Sequence, residues 1–521
     1  MRFLYFIIIF FWFVFFSYAQ SGKEVAKSHK EFSSILTSDS VKTSAGDFIY
    51  FDGLPSTSTV SDAYRFLDLS RASSAFLNGI PMASIQGIKA GHDSIGAYKP
   101  STVCIFSDLM DSASLFLTGN TDTVYASSIL DLKRDGPTVV EVPPGVGPGT
   151  VNDAYFRFVV DMGVVGPDKG KGGKYLIYHT DHSKMINDNR EALEKEYYLA
   201  PASPSYINWL ILRGFLKDGS PEYSDNLFKT GLKIYPFDKK ASPPETDFIN
   251  GTGKIFNTIH SNDFSFFEEI HDVLSYESSS FLDPEIRGIF NSLGVSKGVD
   301  FNPDKKTQKV LSEGIDIGNA IARSLTFRPR DKSVYIYKDR KWFNPFPGGS
   351  YKWLVREGDG GRNLDGRAMF FYIATVNTPA MVLKMVGKGS QYGISALDTK
   401  GNYLNGGGVY RLTVPANVPV KDFWSVVVYD PQTRSQLVSD SQPYPSLNSK
   451  RNNMKENKDG TVDIYFSPTL PQGVSESNWI QTVEDKGWFA VFRLYGPLEP
   501  WFEQTWKLND IEKIEESGKD T

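Results

Sequence analysis

A single cysteine in 521 residues leaves Cys104 without an intramolecular partner, so the chain is held by its core rather than by disulfides. The expected role of Cys104 is a small buried apolar side chain, with a nucleophile or an intermolecular bridge as the other readings. Histidine is scarce, at six residues. The chain has no G-x-S-x-G elbow, no H-E-x-x-H, no phosphate loop and no paired C-x-x-C, which disfavours mechanisms that depend on a strong local signature. Positive charge is not in excess: the formal net charge is -5, so no general field attracts nucleic acid or an anionic membrane, and neither is expected as a partner. No tandem repeat or low-complexity tract is evident.

What is present is globular. The hydrophobic share is 40%, the aromatic share 14% and the charged share 22%, and 37 Phe with 26 Tyr lean toward sheet. Single cores stop growing at roughly 250–300 residues, so a chain of this length is expected to form at least two domains. Its start, MRFLYFIIIFFWFVFFSYAQSGK, places Arg2 before an apolar run from Phe3 to Phe16, with the small residues Ser17 and Ala19 after it. That is the pattern of a signal peptide cleaved after Ala19. A single-span anchor is the rival, but the run is shorter than the roughly 20 residues a bilayer requires. The mature protein is therefore expected outside the cytoplasm, periplasmic or extracellular, with no integral membrane span and no cysteine for a lipid anchor.

The periodicities divide the chain into a signal peptide (1–19), a lead-in segment (20–60), an N-terminal β-sandwich domain (61–186), a mostly helical middle region (187–385), a C-terminal β-sandwich domain (386–508) and a charged, frayed tail (509–521). Ala63–Gly79 is helix-like. Asp153–Asp161 alternates as a half-buried strand would, and Gly172–Asp181 repeats that signal after a Gly/Lys turn. In the middle region, Ser265 with Glu268 has capping-box spacing, and Asp283-Pro284 reads as an N-cap followed by proline at the first helical position. Val310, Gly314, Ile317, Ile321 and Leu325 recur at helical spacing, and a further helix-like run extends from Asn363 to Met385. Strands return as GVYRLTV, FWSVVVYD, GTVDIYF and GWFAVFRL. The fold class expected is mainly β with an α-helical middle segment, built as two antiparallel sandwich or jelly-roll-like domains.

Few residues suggest chemistry. His179 and His182 could share a metal only if the chain turns between them, and are expected to be surface histidines at a strand end. No metal and no cofactor is expected. Thr118–Tyr125, TGNTDTVY, is richer. Asn120 and Asp122 can bond to their own turn, as such residues do before strands. In an extended strand they would share one face while Tyr125 takes the other, which suits an internal polar network or a ligand contact. Near the C-terminus, Trp479, Arg493 and Tyr495 combine rings with a charge, as sugar-binding surfaces do, although rings in sheet proteins are mostly core and Trp479 is expected in a core or interface.

Asn120-x-Asp122-Thr123-x-Tyr125, with Leu130-Asp131-Leu132 and Glu141-Val142-Pro143-Pro144, resembles the exported family named domain of unknown function 1254. Phe423-Trp424-Ser425, Tyr429-Asp430, Asp459-Gly460, Asn478-Trp479 and Arg493-Leu494-Tyr495-Gly496-Pro497 resemble its usual companion, domain of unknown function 1214. The helical segment around Phe264–Glu269 resembles the family's as well. The resemblance implies two jelly-roll-like β-sandwiches with helices between them, in an exported protein. It implies no reaction. The Gly-rich loops at Gly145–Gly149 and Gly166–Gly173 depart from the family pattern. The leading expectation is a carbohydrate-like or other small polar ligand bound between domains, with Asn120, Asp122, Tyr125, Trp479, Arg493 and Tyr495 as candidate contacts. A hydrolase using Asp122 with Arg493 and a structural envelope or assembly module are the alternatives. Homo-oligomerisation stays open.

Overall fold

The computed structural model describes residues 33–515. The signal peptide, the first part of the lead-in and residues 516–521 of the tail lie outside them. Residues through Ser70 form one compact unit and those from Arg71 a second. In the first unit, β1 (Ser40–Thr43), β2 (Gly46–Phe51) and β3 (Leu54–Pro55) pair antiparallel, so part of the expected lead-in is a small sheet. A helix over Thr57–Ser94 follows.

The second unit is rich in sheet. Its first strands are β4 (Thr102–Ile105), β5 (Val124–Asp131), β6 (Thr138–Val142), β7 (Pro148–Asp153), β8 (Phe158–Gly163), β9 (Gly173–Ile177), β10 (Tyr197–Leu199), β11 (Ile207–Gly214), β12 (Lys233–Pro236) and β13 (Asp247–Asn250). They form a six-stranded sheet, β13-β4-β5-β11-β7-β8, and a four-stranded sheet, β10-β9-β6-β12. The later strands are β14 (Ser390–Ser395), β15 (Tyr410–Val414), β16 (Val420–Tyr429), β17 (Ser446–Asn448), β18 (Val462–Ser467), β19 (Trp479–Gln481), β20 (Phe489–Pro497) and β21 (Glu512–Lys513). They form the sheets β14-β20-β16-β17 and β19-β18-β15-β21. Pairing is mostly antiparallel, with β9/β10, β4/β13 and β18/β19 parallel.

Several expectations change. Strands continue through β13, so in the region expected to be mostly helical from residue 187 the short helices Arg190–Leu193 and Glu222–Gly231 alternate with strands, and helices predominate only from Ser265–Tyr276 onward. The reason is plain in β11, where all eight residues of INWLILRG are buried: a strand covered on both faces loses the alternation that marks a half-exposed one. The strand expected over Asp153–Asp161 is two strands around a turn, with Phe156 at φ +55°. The helix-like run from Asn363 ends at Ile373, where Ala374 turns extended, and resumes only as a short helix at Pro379–Val382, with Pro379 at its first position. The tail is ordered through β21, which pairs with β15 and buries Ile511.

The helix Lys305–Phe327 forms where expected, but its buried stripe is Leu311, Gly314, Ile315, Gly318 and Ala322, while Ile317 and Ile321 are exposed. A Cβ on Gly314 would stand 2.2 Å from the Ala72 Cβ, so only glycine permits this close approach of two helices.

Each of the two sheets that matter for the site divides its side chains between two cores. In β5 and β11, Val124, Ala126, Leu130, Leu210 and Leu212 turn to the core shared with the β10-β9-β6-β12 sheet. Tyr125, Ile129, Trp209 and Ile211 turn the other way, into a large central cluster. In β16 and β20, Trp424, Val426, Val428, Ala490, Phe492 and Leu494 pack with β15 and β18 residues such as Leu412 and Ile464. Val427, Tyr429, Phe489 and Val491 enter the central cluster from the opposite face. Burial of each such side chain is worth roughly 1.5–3 kcal/mol, so this shared core outweighs the cost of desolvating a few polar groups at its edge. The two sheets meet through their second faces, and the polar site lies at that seam.

Candidate functional site

Of the two readings of Thr118–Thr123, turn and strand, the structure has the turn, and β5 starts at Val124. Thr118 takes φ +40°, an uncommon conformation for a non-glycine residue. Asn120 Oδ1 accepts the Asp122 N–H at 2.9 Å and the Thr123 hydroxyl at 3.3 Å, the local turn bonding expected of asparagine. The Asn120 side-chain amide donates to the Tyr125 hydroxyl. Asn120, Asp122 and Tyr125 are all buried.

Asp122 bonds across the seam instead. Its Oδ2 accepts from Ser425 Oγ at 2.5 Å and Tyr495 Oη at 3.0 Å, and its Oδ1 accepts from Asn448 Nδ2 at 3.0 Å. Those donors come from β16, β20 and β17, which are neighbours in one sheet. Burial, reinforced by the Asp122 charge, holds the Tyr495 hydroxyl well above its ordinary pKa, so it stays a donor. Thr121 Oγ1 pairs with Ser446 Oγ at 2.6 Å, and Arg451 Nη1 donates to the Thr121 carbonyl at 2.9 Å.

Arg493 Nη2 donates to the Thr118 carbonyl at 2.7 Å and to the Tyr429 hydroxyl at 2.6 Å, and Tyr429 donates to the Gly119 carbonyl at 2.7 Å. Arg493 forms no ion pair with Asp122. The two residues line different spaces. Asp122, Asn448 and Tyr495 border an open cleft of about 760 Å³, walled by Phe215, Phe423, Lys388, Lys421, Lys450 and Arg451. Arg493 and Tyr125 border an interior cavity of about 40 Å³, with Tyr392, Phe346, Val376 and Val491. Arg213 lines both.

Trp479 borders neither space. β19 belongs to the far sheet, and the indole is buried there, with Nε1 donating to Ser467 Oγ at 3.0 Å. Arg213, Tyr392, Asn448 and Arg451 went unnoticed in the sequence. Arg213 alone had a signal: a cation at the end of the apolar run INWLIL.

His179 is buried rather than on the surface, its ring 4.1 Å from that of Tyr206 and its Nδ1 accepting the Asp181 N–H at 3.2 Å. Among the described residues no group of three or more His, Cys, Asp or Glu is placed to hold a metal ion. Burial pushes the Cys104 thiol up to about 12, which leaves it unreactive.

The turn and β11 lie within residues 101–236, which match the family described as Protein of unknown function (DUF1254). Residues 389–499, with β16, β17 and β20, match Protein of unknown function (DUF1214). The chain carries both domains, in that order. The cleft and the interior cavity are thus bordered by residues from the DUF1254 and DUF1214 domains alike. The fold is similar to the crystal structure of the VPA0106 protein from Vibrio parahaemolyticus, at 18% identity and a TM-score of 0.52, over 86% of this chain and 100% of that one. An uncharacterized protein from Burkholderia cenocepacia aligns at 12% identity and a TM-score of 0.37, over 87% of this chain and 95% of that one. A comparison with curated proteins finds no match.

Proposed function

We propose that the protein is exported to the periplasm or the extracellular space and there binds a small polyhydroxylated, carbohydrate-like ligand in the cleft between its DUF1254 and DUF1214 domains. In this reading each domain is a β-sandwich of jelly-roll character. The observation that carries the proposal is the cleft itself, whose volume of about 760 Å³ falls in the range of small-molecule sites. Its lining has both halves of what a sugar needs. The Phe423 ring stacks on that of Tyr495 with centroids 4.2 Å apart, a flat apolar surface against which C–H faces pack. Lys388, Lys421, Lys450 and Arg451 supply donors for hydroxyls, and Asp218 and Asp422 supply acceptors. Among the described residues no helix is long and apolar enough to cross a membrane.

The test is a calorimetric and thermal-shift screen of the mature protein against neutral sugars and polyols. A saturable rise in melting temperature is expected for at least one of them, with affinity about tenfold weaker in Phe423→Ala. A screen with no saturable response, or a response that Phe423→Ala leaves unchanged, ends this reading.

A further inference from the structure

Arg213 and Arg493 bring two guanidiniums to one interior cavity that no carboxylate lines. They come from different domains by the same construction. Arg213 on β11 sits opposite Tyr125 on β5, and Arg493 on β20 sits opposite Tyr392 on β14. Arg213 lies 5.7 Å from the Tyr125 ring centroid, and Arg493 lies 5.5 Å from that of Tyr392. Both arginines are more than nine-tenths buried, at 8% and 5% exposure. Neither forms an ion pair among the described residues. Arg213 Nη2 donates to the sulfur of Met381 at 3.8 Å, a poor acceptor for a charged donor. Arg493 Nε has no partner, and the hydroxyl of Tyr392, which interacts with Arg213, makes no hydrogen bond of ordinary geometry.

Ring faces offset part of the cost of burying a cation, but two cations in one apolar space repel each other and leave donors unused. An anion between them would satisfy the charge and the donors together, and guanidinium forks match the geometry of a carboxylate. The remaining wall is mostly apolar, with Ile211, Phe346, Phe370, Val376 and Val491, and includes Thr118 and Thr375. A water needs roughly 10–15 Å³ of such space, so about 40 Å³ admits a group larger than one water but not a long chain.

We propose that this cavity is a binding site for a short-chain monocarboxylate of the size of acetate or propionate. Its carboxylate bridges Arg213 and Arg493 and accepts from the Tyr392 hydroxyl, and its hydrocarbon end packs on Ile211 and Val491. Arg213 also lines the outer cleft. The site is distinct from the polyol site proposed for the cleft and shares only Arg213 with it, since Arg493 and Tyr392 border the interior space and not the cleft.

The experiment is a titration of the full chain with sodium propionate, with propionamide and sodium chloride at matched ionic strength as controls, followed by calorimetry and melting temperature. Propionate is expected to bind saturably and raise the melting temperature while propionamide and chloride do not. Tyr392→Phe, which keeps the ring, should weaken propionate about three- to tenfold, and Arg213→Met by more than about tenfold, while Phe423→Ala in the cleft leaves it unchanged. A response to chloride equal to that to propionate overturns the carboxylate assignment. So does the absence of any response in the unmodified protein, or propionate binding undiminished in both Tyr392→Phe and Arg213→Met.

Discussion

Asp122 and Arg213 are buried to nearly the same degree, at 1% and 8% exposure, and they border the same cleft, yet the fold treats their charges in opposite ways. Asp122 has a donor on each oxygen and a second on Oδ2, all from one sheet of the neighbouring domain. Arg213 has a tyrosine ring, a thioether sulfur and the neighbouring Tyr392, and no carboxylate pairs with it among the described residues. The difference separates framework from site. A saturated buried charge ties two domains in one register, whereas an unsaturated one keeps capacity for something the chain does not supply.

The sharpest way to break this comparison is to remove each charge in turn. Asp122→Ala strands the donors of Ser425, Asn448 and Tyr495 in the interior and is expected to lower stability by roughly 3–5 kcal/mol in denaturant unfolding. A loss below about 1 kcal/mol would show that Asp122 is not a structural tie. Arg213→Met replaces a poorly compensated cation with an apolar side chain of similar length. It is expected to be neutral or stabilising by about 1–2 kcal/mol, the opposite sign from Asp122→Ala. A large destabilisation would mean that Arg213 is as much framework as Asp122.

A smaller effect extends the contrast to an intermediate case. Glu269 is half-buried and accepts only from Ser261, at 3.0 Å and 3.2 Å from its N–H and 2.7 Å from its hydroxyl. Burial raises its pKa from 4.5 to about 7, with Asp263 and Asp272 pushing the same way and the Ser261 bonds opposing. The native state therefore keeps this proton between pH 4.5 and about 7, where the unfolded chain has released it. The resulting stability is full below 4.5 and lost as pH rises through about 7. Glu269→Gln should remove this falling contribution to melting temperature across that interval, leaving those of Glu277 and Asp161, which burial raises to about 7 and about 6, and the opposing rise from His92 and His260, which burial lowers to about 4 and about 3. A slope identical to that of the unmodified protein counts against a proton held there.

Much of the β architecture could be read from residue patterns. GVYRLTV and GTVDIYF alternate because β15 and β18 each keep one face partly open: in β15 Tyr410, Leu412 and Val414 are buried while Arg411 and Thr413 are half-buried. The turn chemistry of Asn120 was legible because it is local, a side chain bonding two residues on. β11 was not, because both its faces are covered, and Arg213 there resembled an ordinary charge at a strand end. Trp479, expected in a core or interface and also a candidate contact, is buried against Ser467 in the far sheet; a ring next to polar residues looks the same in a sequence whether it faces solvent or a core.

By itself the sequence determined the order of the two domains, the type of most elements and the local turn that begins β5, since each depends on residues a few positions apart. The tertiary structure alone decided which charges are satisfied, because the partners of Asp122 stand 303 to 373 residues away along the chain. It also decided that Arg213 and Arg493 share one cavity. No local rule encodes such meetings: they follow from two sheets packing through their second faces, and that packing is specified by the whole apolar pattern at once.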